Sequence, residues 1–376
     1  MKIAFVTRFP RDPDRPRGGV EAVSVTLVRA LSALSDLELE VVTTEPGQSS
    51  VEHDVVDGVR VHRLPGPDRG LLADAVGPGR RRMHHFLGTL GPDVVHAHDI
   101  YGIMVKGLRI PRVFTVHGFI HADTRVGGGR FARLRSWLWR RYEVAAWVDQ
   151  PHIISISPYV RERLSRLVPA RIHDVENPVS EAFFAGECCE VPGTVFSAAT
   201  VEPRKNTMVL VEAVGRLVEA GRDVRLRLAG AIIDVAYGRQ VESALRSLGA
   251  PRASMLGAIP GSRVREELSR ASVFALISLE ENAPMGIEEA MATGVPVVAS
   301  NRCGMPYLVR DGVSGYLVDP LDVADVAERL DRILSDKPLR REMGIRGRAI
   351  ALDRFRAEGV ALRTRDVYRI AVGKHP

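Results

Sequence analysis

Between Val273 and Ser300 the chain passes from one short apolar run, Val273 to Ser278, through EENAPMGIEEAMATG into a second, Val295 to Ala299. Two apolar runs joined by a crossover long enough to hold one helix call for parallel pairing, so this stretch alone commits the chain to an α/β architecture with covered sheets. Asn282 and Pro284 read as helix-start residues, Met285 to Thr293 as one helix, and Gly294-Val295-Pro296 as the turn into a buried strand, Val297 to Ala299. Glu281 therefore precedes the helix and Glu289 lies on it. In open parallel sheets ligands bind beyond the carboxyl ends of the strands, which is where Glu281 falls.

The first-turn amides near Met285, Gly286 and Ile287 have no acceptor within the helix and carry the positive end of its dipole, a seat for a diphosphate. A carboxylate beyond the phosphates suits the two cis hydroxyls of a ribose, because an ionised Glu only accepts hydrogen bonds. Residue by residue, Glu281, Glu288 and Glu289 also fit plain solvated acids at a helix start. The flanking buried strands favour the ligand reading.

The stretch resembles the retaining glycosyltransferases of family 4, which share the two-Rossmann-domain GT-B architecture. Members carry two glutamates separated by seven residues, the second followed by small residues and a Gly-x-Pro-Val-Val strand, as in Glu281, Glu289, Ala290-Met291-Ala292 and Gly294 to Val298. The resemblance implies that Glu289 holds the donor ribose, that Glu281 and Asn282 face the donor, and that the two doubly wound domains face each other across a cleft.

Strand signals agree with two such domains. Lys2 to Thr7, Leu39 to Thr44, Val59 to Leu64, Asp93 to Ala97, Arg112 to His117 and His152 to Ile156 form one series. Gly193 to Ala199, Val224 to Ala229, Ala253 to Leu256, Val273 to Ser278, Val297 to Ala299 and Gly315 to Val318 form the other. The boundary is expected near Asn177-Pro178-Val179, giving domains 1–177 and 178–354. By resemblance, a last helical segment within 355–376 returns to the amino-terminal domain.

At 376 residues, with 45% hydrophobic and 26% charged, the chain can bury two cores. The apolar run before Arg8 is too short for a signal peptide and no later run approaches a membrane span, so a cytoplasmic protein is expected. Cys188, Cys189 and Cys303 form neither a disulfide framework nor a zinc set. The net charge of +6 comes with only five Lys among 52 basic residues and no nucleic-acid motif, which argues against a nucleic-acid partner.

In the amino-terminal half, Gly18-Gly19 leads from a loop, Arg8 to Arg17, into a helix expected over Val20 to Leu34. Glycines there allow positive φ and close ligand approach. The resemblance places this pair near donor phosphates and acceptor, with the loop as a mobile flap. His117-Gly118 ends an apolar strand, and the resemblance puts His117 against the donor sugar. His96-Ala97-His98-Asp99 could pair two imidazoles on a metal, but lacks the further His of a binuclear site. The resemblance needs no metal, with His98 on the acceptor side and His96 buried.

In the second half Arg204-Lys205 leaves the first strand, and two cations suit a diphosphate. The resemblance assigns that contact to Lys205. Two features depart from the family pattern: Ala199 and Thr200 stand five or six residues before Lys205, where many relatives place an Arg, and Tyr307 stands where they usually have Glu. Arg125 to Arg141 holds six Arg and no acid. Phe131, Leu134, Leu138 and Tyr142 fall at helical spacing within and just after it, and two readings stay open: a helix packing that stripe on the core, or an interfacial helix whose basic face meets anionic lipid through 125–142, at the inner face of the membrane.

The expected function is transfer of a hexosyl group from a nucleoside diphosphate sugar, of UDP or GDP type, to a hydroxyl acceptor with retention, using no cofactor or metal. The acceptor could be a glycan, a lipid-linked molecule or a small molecule. The alternatives are a sugar-nucleotide epimerase of the same architecture and a non-catalytic sugar-nucleotide-binding protein.

Overall fold

The computed structural model describes residues 1–126, 131–186, 189–249 and 252–373, so Cys188 and the triple-glycine start of the basic segment lie outside the described residues. The chain divides into two compact units, Met1–Pro178 with Ala357–Pro376, and Val179–Arg356.

The first unit is built on an eight-stranded sheet of β1 (Lys2–Val6), β2 (Glu38–Pro46), β3 (Glu52–Val56), β4 (Val59–Gly66), β5 (Val94–His98), β6 (Arg112–Val116), β7 (His152–Ser155) and β8 (Arg171–Asp174). Their order is β3-β4-β2-β1-β5-β6-β7-β8, and β3 alone runs antiparallel to its neighbour. The sequence misses the two edge strands. Their residues, EHDVV and RIHD, are largely solvated and carry no apolar run, so backbone pairing decides them. Ile3, Phe5, Val41, Val94 and Val113 form the core with Val360, Ala361, Val367 and Tyr368 of the last helix, Ala357–Ala371. That helix thus belongs to this unit.

The helix Ala132–Val148 corrects the core-stripe reading. Phe131, Leu134 and Trp137 are 65%, 56% and 58% exposed, and Leu138 is also exposed. The buried face is instead Ser136, Glu143, Ala146 and Trp147. Polar bonds explain this choice: Glu143 accepts from the backbone amides of Ile120 and His121, both at 2.9 Å, and Ser136 Oγ donates to the His121 carbonyl at 2.7 Å. A buried carboxylate serving two orphan amides of the preceding helix outweighs the apolar stripe in setting the rotation. Among the described residues no helix is long and apolar enough to cross a membrane.

The loop after β1 is tied down, not left as an open flap. Arg63, almost fully buried, donates to the carbonyls of Phe9 and Pro10 at 3.0 and 3.1 Å, and Arg11 bonds Glu45 and Glu52 at 2.7 and 2.9 Å.

The second unit carries a six-stranded parallel sheet of β9 (Thr194–Ala198), β10 (Arg225–Ala229), β11 (Ala253–Met255), β12 (Val273–Leu276), β13 (Val297–Ser300) and β14 (Gly315–Val318), ordered β11-β10-β9-β12-β13-β14. Alternation sends Val195, Val273 and Val298 to one face, and Phe196, Phe274 and Val297 to the other. The helix Met285–Thr293 has the bounds read from sequence; it buries Ile287, Ala290 and Met291 against Phe274 and Leu276 and stops at Gly294, whose φ is +81°. Truncating Phe274 to Ala should cost about 3–5 kcal/mol. The strand order reverses between β9 and β12, and that point positions the site.

Candidate active site

At the β9/β12 switch point, two loops leave the carboxyl ends of adjacent strands and meet. The loop after β9 brings Arg204 and Lys205; the loop after β12 brings Glu281. The Arg204 carbonyl accepts from the Leu279 amide at 2.8 Å, which fixes one loop against the other. Lys205 Nζ then donates to Glu281 Oε1, and Arg204 Nη1 lies 3.6 Å from the same oxygen. Arg204 is aimed by Glu202 at 3.2 Å and by the Glu280 carbonyl at 2.8 Å. Sequence reasoning misses Glu202, although an acid two residues before an Arg on an irregular turn is a recognisable brace. Thr200, the first departure from the expected family pattern, donates to Glu202 at 2.9 Å and so belongs to the brace.

Burial alone would raise the Glu281 carboxyl, but Lys205 and then Arg204 outweigh it and hold it below the ordinary Glu value. Glu289 has no such partner. It keeps some solvent contact, yet protein encloses it enough for burial to raise its carboxyl to about 8. A carboxyl raised in this way favours its protonated form, which offers one O–H donor beside its acceptor oxygens.

The start of the Met285 helix is open in part. Met285 and Gly286 head the first turn after Pro284, but the Ile287 amide already donates to the Pro284 carbonyl at 3.0 Å and its side chain is fully buried. Ile287 therefore has no amide to spare for a donor phosphate, contrary to the expectation. Asn282 does not cap the helix; Pro284 takes that position. The Asn282 backbone instead presses on Gly304, where an added Cβ would fall 1.7 Å from the Asn282 carbonyl oxygen, while the Gly304 amide donates to the Glu281 carbonyl at 2.8 Å. Gly304 thus shapes the segment carrying Glu281. Tyr307, the second departure, ends the short turn Met305–Tyr307, and its carbonyl accepts from Arg354 at 2.9 Å. Glu288 is fully buried, so the alternative of a plain solvated acid at the helix start does not hold for it.

The first unit gathers its candidates at its own switch point, between β1 and β5. Gly18 corrects one expectation: its φ of 174° is extended backbone that any residue adopts, and a Cβ there would have no heavy atom within 4 Å. Its chain does not demand glycine, so what glycine provides is room. Gly19 begins the helix Gly19–Ser32.

His117 directly follows β6, with Nε2 3.0 Å from Nδ1 of His98. Burial lowers its pKa, only partly offset by the Asp99 charge and the Asn177 side chain. His98 is fully buried and lines no open surface, which corrects its acceptor-side assignment. His96 is equally buried; Nδ1 bonds Tyr368 and Nε2 bonds Thr115, each at 2.7 Å, so neither nitrogen is spare for a metal. Asp99, with a positive φ of 44°, lines a recess with Phe114, Glu143 and Trp147.

Comparisons with known proteins agree on one family. The family model described as "Glycosyl transferases group 1" matches residues 183–350, and that described as "Glycosyltransferase Family 4" matches 17–183. The chain is 27% identical to the alpha-maltose-1-phosphate synthase of Mycolicibacterium smegmatis, over 98% of this chain and 99% of the relative. It is 28% identical to the D-inositol 3-phosphate glycosyltransferase of Corynebacterium diphtheriae, over 92% and 89%. Among solved structures, sucrose-phosphate synthase from Thermosynechococcus elongatus superposes with a TM-score of 0.81 at 22% identity, covering 99% of each chain. The Anabaena protein HepE in complex with UDP-glucose superposes with a TM-score of 0.75 at 17% identity, covering 98% of this chain and 99% of that one. With both halves matched by glycosyltransferase models and two parallel-sheet Rossmann-like units of the GT-B kind, the chain belongs to the family 4 type glycosyltransferases.

Proposed function

We propose that this glycosyltransferase moves a hexosyl group from a nucleoside diphosphate sugar, of UDP or GDP type, to a hydroxyl acceptor with retention at the anomeric carbon. The observation that carries the reading is the meeting of Lys205, Arg204, Glu281 and the open first turn at Met285 and Gly286 on one switch point. Two cations and two helix-start amides answer the charge of a diphosphate, both in the ground state and as it departs. That charge compensation comes from the chain itself, so the reading includes no metal. Glu289, one turn further along the same helix, suits the ribose. Within the second unit Glu281 orients the sugar by hydrogen bonds; His117, Gly18 and Gly19 are the first unit's own candidates for contacts to hydroxyls, phosphates or acceptor. The solved relative bound to UDP-glucose supports the donor class.

Peripheral contact with an anionic membrane through 125–142 is part of the reading. Leu134, Trp137 and Leu138 stand exposed among Arg133, Arg135, Arg140 and Arg141, and the helix's acid, Glu143, is turned inward. An apolar ridge flanked by cations is the composition that lies in a lipid interface. Calorimetry with a panel of nucleoside diphosphate sugars, followed by product analysis with hydroxyl acceptors, tests the function. Transfer supports it; epimerised donor, or binding without turnover, rejects it in favour of the two alternatives.

A further inference from the structure

A column of polar side chains runs through the first unit beneath His117. Ser24 Oγ lies 2.7 Å from Thr7 Oγ1, Thr7 Oγ1 lies 3.3 Å from His98 Nδ1, and His98 Nδ1 lies 3.0 Å from His117 Nε2. The His98 ring is fully buried, packed edge to face on Phe5, His96 and His117 with centroids 4.7, 4.7 and 4.5 Å away. Its second nitrogen, Nε2, is buried with no hydrogen-bond partner among the described residues. His96 offers none, since Tyr368 and Thr115 occupy both of its nitrogens.

This asymmetry places a proton. A neutral imidazole carries one N–H and one bare lone pair. With the proton on Nε2, His98 would bury an N–H with nothing to accept it, and an orphaned donor costs about 1–3 kcal/mol. With the proton on Nδ1 the orphan is a lone pair, the less costly deficiency, and the N–H reaches the nearer of two acceptors, His117 Nε2. Burial, the leading influence on both rings, keeps both neutral near pH 7.

We infer that His98 is a positioning residue that fixes the tautomer of His117: His98 donates from Nδ1 to His117 Nε2, so His117 carries its single proton on Nδ1. His117, whose ring also meets the Asn177 side chain, is then a neutral hydrogen-bond donor from Nδ1 and not a proton acceptor toward any ligand. That the ligand is a sugar rests on the proposed function; the tautomer does not.

The test is a two-bond proton–nitrogen correlation spectrum of the chain with nitrogen-15 histidine at pH 7, without substrate. Both His98 and His117 should show the Nδ1–H form. His98→Asn keeps an amide donor at this place and should retain the His117 tautomer, while His98→Phe fills the volume without a donor and should move His117 toward Nε2–H. Transfer should fall by about tenfold or more in His98→Phe, the worth of roughly 1.4 kcal/mol, and recover largely in His98→Asn. An Nε2–H form of His117 in the parent, or an unchanged tautomer in His98→Phe, overturns the inference whatever the activity. A shifted tautomer with unchanged transfer overturns its part in the reaction and leaves the donor reading intact. If His98→Phe does not fold, the parent and His98→Asn spectra still decide.

Discussion

Glu281 is bound to the same cations that the proposed diphosphate needs, so its removal should strengthen nucleotide binding while weakening transfer. Lys205 and Glu281 side chains are 14% and 10% exposed, a largely enclosed pair. At an effective dielectric near 20 the attraction at contact is about 4 kcal/mol, of which desolvation cancels most, leaving on the order of 1–2 kcal/mol. In Glu281→Gln the two cations lose their shared carboxylate. We predict a stability loss of about 2 kcal/mol, a melting shift of roughly 4–8 °C for a unit of this size. A diphosphate meeting Lys205 no longer displaces a competitor, so the free nucleoside diphosphate should bind about tenfold more tightly, equal to roughly 1.4 kcal/mol. Isothermal calorimetry with the nucleoside diphosphate, beside a thermal scan of the same sample, reads both effects. Equal or weaker nucleotide binding in Glu281→Gln, with the fold intact, would refute the competition.

Other consequences are of the same kind. Lys205→Ala and Glu289→Ala should each weaken donor binding by about tenfold or more in calorimetry, with unchanged circular dichroism; parent-like affinity in both places the donor elsewhere. If the ribose hydroxyls favour the ionised form of Glu289, whose carboxyl stands near 8 before binding, nucleotide binding at pH 7 should release close to one proton and tighten as pH rises toward 8. Binding heats measured in buffers of different ionisation enthalpy report that proton, and its absence, or affinity falling with pH, contradicts the assignment. Replacing Arg133, Arg135, Arg140 and Arg141 together should abolish flotation with anionic vesicles at low salt, each contributing on the order of 1 kcal/mol. A parent that does not float removes the membrane contact.

The parts of the molecule legible in the sequence are those where local pattern and tertiary demand coincide. The inner strands β9, β12 and β13 of the second unit are mostly apolar, buried runs because both faces are covered, and the Met285 helix is bracketed by Pro284 and Gly294, so its bounds can be read directly. The edge strands β3 and β8 are not legible, since their side chains are mostly solvated and only backbone pairing makes them strands. Helix rotation fails for a related reason. The apolar stripe of the Ala132 helix is overruled by Glu143, whose partners lie more than twenty residues upstream in the backbone of Ile120 and His121. At the site, sequence position brings out Lys205 and Glu281 individually, but not their pairing across 76 residues, nor that Ile287 has already used its amide. His98 shows the same limit. Period-two spacing pairs it with His96, on which its ring does pack, while the sheet order brings it to His117 for its hydrogen bond.

The most direct test of the central claim is turnover by the purified chain with a panel of nucleoside diphosphate sugars and hydroxyl acceptors, in excess chelator, with products resolved by anomeric configuration. The account predicts nucleoside diphosphate released in step with glycosylated acceptor, the anomeric configuration of the donor retained and the rate unchanged by the chelator. Inversion at the anomeric carbon, or turnover abolished by the chelator and restored by one divalent ion, would contradict it.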